Sequence, residues 1–116
     1  TLSPGVETVS LSGQRRGRPF VAAPEDRGQV QDALVLPLWL TSLQPDYLLT
    51  YRLAPLAVDR TLVVAEVHTH PGARAAGVDL DDVLGFWART NAEDRAICER
   101  QQRGLAARGA PLRYAA

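Results

Sequence analysis

Residues 79–107 read DLDDVLGFWARTNAEDRAICERQQRGLAA, and whether this stretch is one helix decides the fold. Asp79 is placed to cap a helix, with Asp81 and Asp82 behind it, where carboxylates meet the positive end of the helix dipole. The pattern predicts a helix from about Leu80 to Ala107, ended by Gly109 and Pro111. A helix turns about 100° per residue. Taking Asp94 as origin, Leu80, Val83, Trp87, Cys98, Gln101 and Leu105 fall within about 40° of it, and Asn91 about 60° away. Asp81, Asp82, Arg89, Glu93, Arg95, Glu99, Arg100 and Arg103 all lie about 100° away or more. Asp94 is therefore the one charge in the centre of the stripe that should face inward. A lone buried carboxylate costs several kcal/mol unless it is paired, protonated or bound to metal. The residues alone leave three readings open for it. It pairs internally, with Arg52 the candidate cation or with backbone donors; it ligates a metal; or it is a general acid or base.

Upstream, three apolar stretches read as strands. DALVLPLWL (32–40) is almost continuously apolar, as a buried strand would be, and Pro37 places it at an edge or a bulge. DYLLTYRL (46–53) and TLVVAEVHT (61–69) follow, with SLQPD and APLAVDR as hairpin-length connections. Residues 32–69 thus form an antiparallel meander. Further upstream, VETVSL (6–11) reads as one short strand between turns, and residues 13–29 as a long loop. Strands then one long helix make an α+β chain.

With 116 residues, one domain with a modest core is expected. Arginines and acids balance at 13 each and there is no Lys, so the clustered basic excess of a nucleic-acid binder is missing. The one basic cluster, Arg15, Arg16 and Arg18, reads as a solvated loop. Cys98 is the single cysteine, which excludes an internal disulfide and a Cys-built zinc or iron–sulfur site. No apolar run reaches the roughly 20 residues of a membrane span, and no signal peptide is recognisable. A reduced, cytoplasmic setting fits.

The segment FWARTNAEDRAICERQQRGLAAR (86–108) resembles the C-terminal helix of the Rieske non-heme iron oxygenases, the alpha subunits of ring-hydroxylating dioxygenases and related monooxygenases. The shared pattern is Phe-Trp, Thr-Asn, an acid followed by Asp, then Cys-Glu-x-x-Gln-Arg-Gly. LQPDYLLTYRLAPLAVDRTLVVAEVHTHPGA (43–73) is similar to the strand pair that precedes this helix, and TLSPG and LPLWL stand in the expected order. The resemblance implies a helix-grip (START-like) antiparallel sheet packed on the long C-terminal helix. It also implies a mononuclear Fe(II) held by two His and one carboxylate, with O2 and substrate at the open positions. On this sequence the carboxylate maps to Asp94, with Trp87 and Asn91 lining the substrate pocket or supporting the ligand. Aromatic rings and small amines are the substrate classes, and electrons would come from NAD(P)H through a reductase or ferredoxin.

The departures matter as much. The C-x-H and C-x-x-H pairs of a Rieske [2Fe-2S] domain do not occur here, nor does the Asn-Trp-Lys helix bearing the two His ligands. The expectation is that residues 1–116 are the C-terminal part of the catalytic domain, with strands over about 5–69 and the helix over about 80–107, incomplete and inactive alone. Its uncovered surface should favour homo-oligomers.

A rival lies in EVHTHPGARAAGVDLD (66–81). His68 and His70 are two apart on a strand and Asp81 follows, a spacing that resembles the zinc site of JAMM-type isopeptidases. Val78 stands where that pattern has Ser, and Asp81 already has a place in the helix's first turn. His68 and His70 joined by Asp94 would be a mixed site of the facial-triad kind. A helix-grip module that binds apolar ligands without metal is the third reading.

Overall fold

The computed structural model describes residues 2–19, 30–73 and 75–107. Four strands run in order: β1 Gln31–Val35, β2 Trp39–Leu43, β3 Tyr47–Ala57 and β4 Arg60–Thr69, followed by one helix, α1 Asp81–Ala107. The strands pair antiparallel in sequence order, β1-β2-β3-β4. The meander and the long helix are both as expected, and the fold is α+β.

Three local expectations change. DALVLPLWL is not one buried strand: it folds back at Leu36-Pro37-Leu38 into the β1–β2 hairpin, with Val35 opposite Trp39. Proline has no N–H for a ladder, so it sits in the turn, and an unbroken apolar run carries no period to mark that break. The hairpin is exposed rather than buried, with Leu34, Val35, Leu36 and Trp39 all open to solvent. The last connection is also tighter than APLAVDR suggested. Ala54 to Ala57 stay in β3, register shifts near Pro55, and the turn is Val58-Asp59. Finally, VETVSL forms no strand. The N–H groups of Glu7 and Thr8 both turn to the carbonyl of Gly13, and Gly5 and Gly13 take left-handed φ values of 84° and 72°, so residues 3–13 curl into a loop. The part of the long-loop reading over residues 20–29 lies outside the described residues, as do Gly109 and Pro111.

That N-terminal loop ties the sheet to the helix. Thr8 donates to the carboxylate of Asp46, just before β3, at 2.6 Å. Ser12 donates to the carboxylate of Asp82, in the first turn of α1, from both its N–H and its hydroxyl. At the helix start the first intrahelical acceptor is the carbonyl of Leu80, so Leu80 rather than Asp79 is the cap residue. Asp79 still serves the terminus, accepting the N–H of Asp81 at 2.9 Å.

The core is small. Tyr47, Leu49 and Val83 are buried, and Tyr51, Val67 and Trp87 pack against them. Alternation along β3 puts Tyr47, Leu49 and Tyr51 on one face, and residues 83 and 87 of α1 cover that face. Each fully buried side chain of this kind contributes about 1.5–3 kcal/mol. Beyond Asn91 no residue of α1 is even partly buried.

Candidate functional site

Two hydrogen-bonded pairs dock the first half of α1 on β3. The indole Nε1 of Trp87 donates to the Tyr47 hydroxyl at 2.8 Å, and that hydroxyl donates to the carbonyl of Val9 at 2.6 Å. One helical turn on, the hydroxyl of Tyr51 donates to Oδ1 of Asn91 at 2.8 Å. Tyr47 and Tyr51 lie on the same face of β3, and Trp87 and Asn91 are four apart on the helix, so the two ladders meet face to face. Burial is the main reason both phenols hold their protons more tightly than usual. For Tyr47 the Trp87 hydrogen bond works against this, as the Asn91 bond does for Tyr51. The negative charge of Asp94 adds to the rise at Tyr51, which places that carboxylate within electrostatic reach of the phenol.

Asp94 follows Asn91 by one turn, on the line of Val83, Trp87 and Asn91, as the stripe requires. Its expected burial does not hold: Asp94 is exposed. The hydrogen bonds of α1 to the sheet stop at Asn91 although β3 runs on to Ala57, and the stripe beyond Asn91, through Cys98 and Leu105, is exposed. The expected partner Arg52 pairs instead with Glu66 across the strands at 3.4 Å, on the other face of the sheet. Among the described residues Asp94 has no hydrogen-bond or ion-pair partner. The buried acid is Asp46, 4 % exposed, held by Thr8 and by the N–H groups of Arg16 and Gly17 at 3.2 and 3.4 Å. Sequence reasoning missed it, although an Asp after Pro45 at the mouth of a strand is a position where a carboxylate collects backbone donors.

His68 and His70 do not converge with Asp81. The His68 ring meets Thr50 Oγ1 at 3.1 Å, the His70 ring accepts the N–H of Gly72 at 3.2 Å, and Asp81 stays in the first turn of α1. Among the described residues no three His, Cys, Asp or Glu side chains are grouped to hold a metal, which removes the geometric basis of both the zinc reading and the mixed site with Asp94. An open groove exists, lined by Ser10, Leu11, Phe86, Arg89, Thr90 and Glu93, on a flank of α1 away from Asp94.

An iron of the two-His, one-carboxylate kind can be tested against this donor set. Asp94 offers a carboxylate with its lone pairs open, of the hardness Fe(II) accepts. No imidazole stands beside it among the described residues. The chain fits the carboxylate's place in such a site and does not complete the site itself. No described helix is long and apolar enough to cross a membrane.

The family model that matches is the ring hydroxylating alpha subunit (catalytic domain), over residues 1–116. No curated protein and no solved structure matches the chain.

Proposed function

The chain belongs to the ring hydroxylating alpha-subunit family, in its catalytic domain, and from that premise we propose that it is the C-terminal segment of an oxygenase catalytic domain in which Asp94 is the carboxylate ligand of a mononuclear iron. The observation that carries the reading is the course of one helix line. Val83, Trp87 and Asn91 are successively engaged by the sheet, and the next position on that line is a carboxylate without a partner among the described residues. Free carboxylates on helix surfaces usually face solvent on the polar side. This one continues the line along which the helix docks, so a part of the domain that covered that line would bury it, and a cation would then offset its charge.

In this reading the two His ligands come from residues outside this sequence, and the apolar surface left open beside the helix receives the rest of the domain. When bound, the iron supplies the O2 chemistry of a hydroxylation. Electrons reach it from NAD(P)H by way of a reductase or ferredoxin and a Rieske [2Fe-2S] centre outside these residues. Trp87 presents an apolar ring to the pocket while its N–H is tied to Tyr47, and Asn91 presents an amide edge. The substrate is a small organic molecule, an aromatic or a small amine. The docked half of α1 excludes water from one side of that pocket. Assembly as a homo-oligomer in the cytoplasm belongs to the same proposal.

The test is metal content in the complete alpha subunit. Asp94→Ala loses iron, whereas Glu93→Ala, altered one residue away on the solvent side, keeps it. Equal retention in both variants overturns the assignment.

A further inference from the structure

Among the described residues the sheet has two open edges, since β1 and β4 each pair on one side only. An edge strand presents unpaired N–H and C=O groups, and these template another strand unless something blunts them. The two edges differ in this respect. β1 spans only Gln31–Val35, carries Asp32 and runs directly into Leu36-Pro37. β4 spans Arg60–Thr69 with no proline, glycine or lysine, and the register shift of its hairpin falls at Pro55–Ala57 of β3. Most of β4 is open to solvent, with Leu62 50 % and Val63 52 % exposed. Alternation puts Thr61, Val63, Ala65 and Val67 on the face that carries the helix, and Arg60, Leu62, Val64 and Glu66 on the other.

We propose that β4 is where a second copy of this chain docks, Arg60–Glu66 pairing antiparallel with the same residues of the copy about a two-fold axis at Val63. The register follows from charge and face. In one continuous sheet, opposite residues share a face, so two helices on the same side require the axis to pass through a residue. Centred on Val63, the axis sets Arg60 opposite Glu66 of the second copy, and does so twice, with Leu62 opposite Val64 and Thr61 opposite Ala65. Centred on Val64, it would set Glu66 opposite Leu62; centred on Ala65, Glu66 opposite Val64. Only the first register matches opposite charges and apolar side chains together, and such cross-strand pairs are what stabilise a sheet. Glu66 already stands beside Arg52 at 3.4 Å, so Arg60 of the second copy brackets it from the open side. Val67, which packs against the helix-covered core, lies outside the paired stretch, so the two cores stand at opposite ends of the joint. One strand pair is smaller than a standard interface of about 1,600 Å², so the dimer is micromolar rather than nanomolar. This gives the homo-oligomer of the reading above its surface and is independent of the iron assignment, which metal content tests separately.

Sedimentation equilibrium of the 116-residue chain across the micromolar range is the first test, and a monomer–dimer equilibrium is expected. Arg60→Glu and Glu66→Arg each set like charges opposite one another at both ends of the joint, and each weakens the dimer by about 10-fold. Mixing the two variants restores it, because only the mixed pair has opposite charges at both ends. Cross-linking reads the register, in a Cys98→Ser background that removes the exposed native thiol. Val63→Cys brings two sulfurs together at the axis, where opposite Cα atoms lie about 4.5–5.5 Å apart, within disulfide reach. Ala65→Cys does not link, because its own copy lies more than about 13 Å away along the ladder. Circular dichroism confirms that each variant is folded. A folded chain that stays monomeric overturns the proposal, as does a mixture of the charge variants that dimerises no better than either alone. Linking by Leu36→Cys but not Val63→Cys overturns it by placing the contact at the β1–β2 turn. The Val63→Cys experiment is repeated in the complete alpha subunit. Loss of the link there, with β4 amides protected from exchange at every concentration, shows that another strand of the same subunit takes this edge, and also overturns it.

Discussion

Tyr47 stands between the helix and the N-terminal loop: its hydroxyl accepts from Trp87 at 2.8 Å and donates to the carbonyl of Val9 at 2.6 Å. One phenol thus joins three segments that are far apart in sequence. Tyr47→Phe keeps the ring in the core and removes both hydrogen bonds. The expected loss is about 1–3 kcal/mol, since a half-buried indole N–H is left without an acceptor. Urea denaturation measures it, and a change within error would show that the ring alone holds the helix.

Asp46 supplies the matching contact at the other end of the loop, with Thr8, Arg16 and Gly17 all donating to it. Asp46→Ala should cost on the order of 2–4 kcal/mol, because buried donors lose their shared acceptor. Glu93→Ala, which removes only an exposed pair with Arg89, should change stability by less than about 0.5 kcal/mol. The same urea series compares the two.

High pH should weaken the fold through its two shielded phenols. Burial raises the proton affinity of Tyr47 and Tyr51 in the folded state. Their contribution to stability is full below the ordinary tyrosine value of about 10 and falls as pH climbs above it towards the folded values. Urea midpoints taken from about pH 8 to about pH 11 should decline, and the slope should be shallower in Tyr47→Phe. Asp82 behaves in the opposite sense: the Ser12 hydrogen bond holds its carboxyl below the usual range, so that link is present at neutral pH and is lost on acidification through the lowered value. Ser12→Ala should move the Asp82 titration upward in an NMR pH series.

The chain on its own should hold no stoichiometric iron after anaerobic exposure to Fe(II), and no stoichiometric zinc. Among the described residues no group of three metal-ligating side chains is assembled, and a single carboxylate is a weak site for either ion. Metal analysis after desalting checks this. Zinc retained at one equivalent and lost in His68→Ala would show a site that the strand geometry does not form.

Much of the architecture was legible because period and punctuation agree. The alternation of YLLTYRL, the break at Asp59 and the acids before Val83 each mark an element with its own physical reason. Pro37 was the informative residue in β1–β2, yet a run of seven apolar residues around it offered no face to tell turn from bulge. The direction of Asp94 could be read from the helical angle. Its burial could not, because an angle says where a side chain points and says nothing of what stands there. Asp46 was missed for the complementary reason: its partners are a threonine hydroxyl and two backbone amides of a loop that has no pattern of its own.

Glycine placement gives a further test. A methyl group added at Gly104 would have nothing within 4 Å, so Gly104→Ala should raise helix content and stabilise the chain by about 0.5–1 kcal/mol. At Gly85 the same methyl would meet Leu11 Cδ1 at 2.9 Å, so the Leu11 side chain must shift, which offsets part of that gain. Thermal melting by circular dichroism should rank Gly104→Ala above Gly85→Ala.

The described length of α1 is held along its first turns and bare from Ala92 onward. Amide hydrogens up to Asn91 are therefore guarded by the core and should exchange only when the whole chain opens, while those from Arg95 onward depend on a solvated helix whose intrinsic stability is marginal. One continuous rod thus carries two exchange regimes, with Asp94 just past the boundary. Like a cantilever gripped at one end, it gives this carboxylate a well-defined root and a bearing that a contacting surface can still trim.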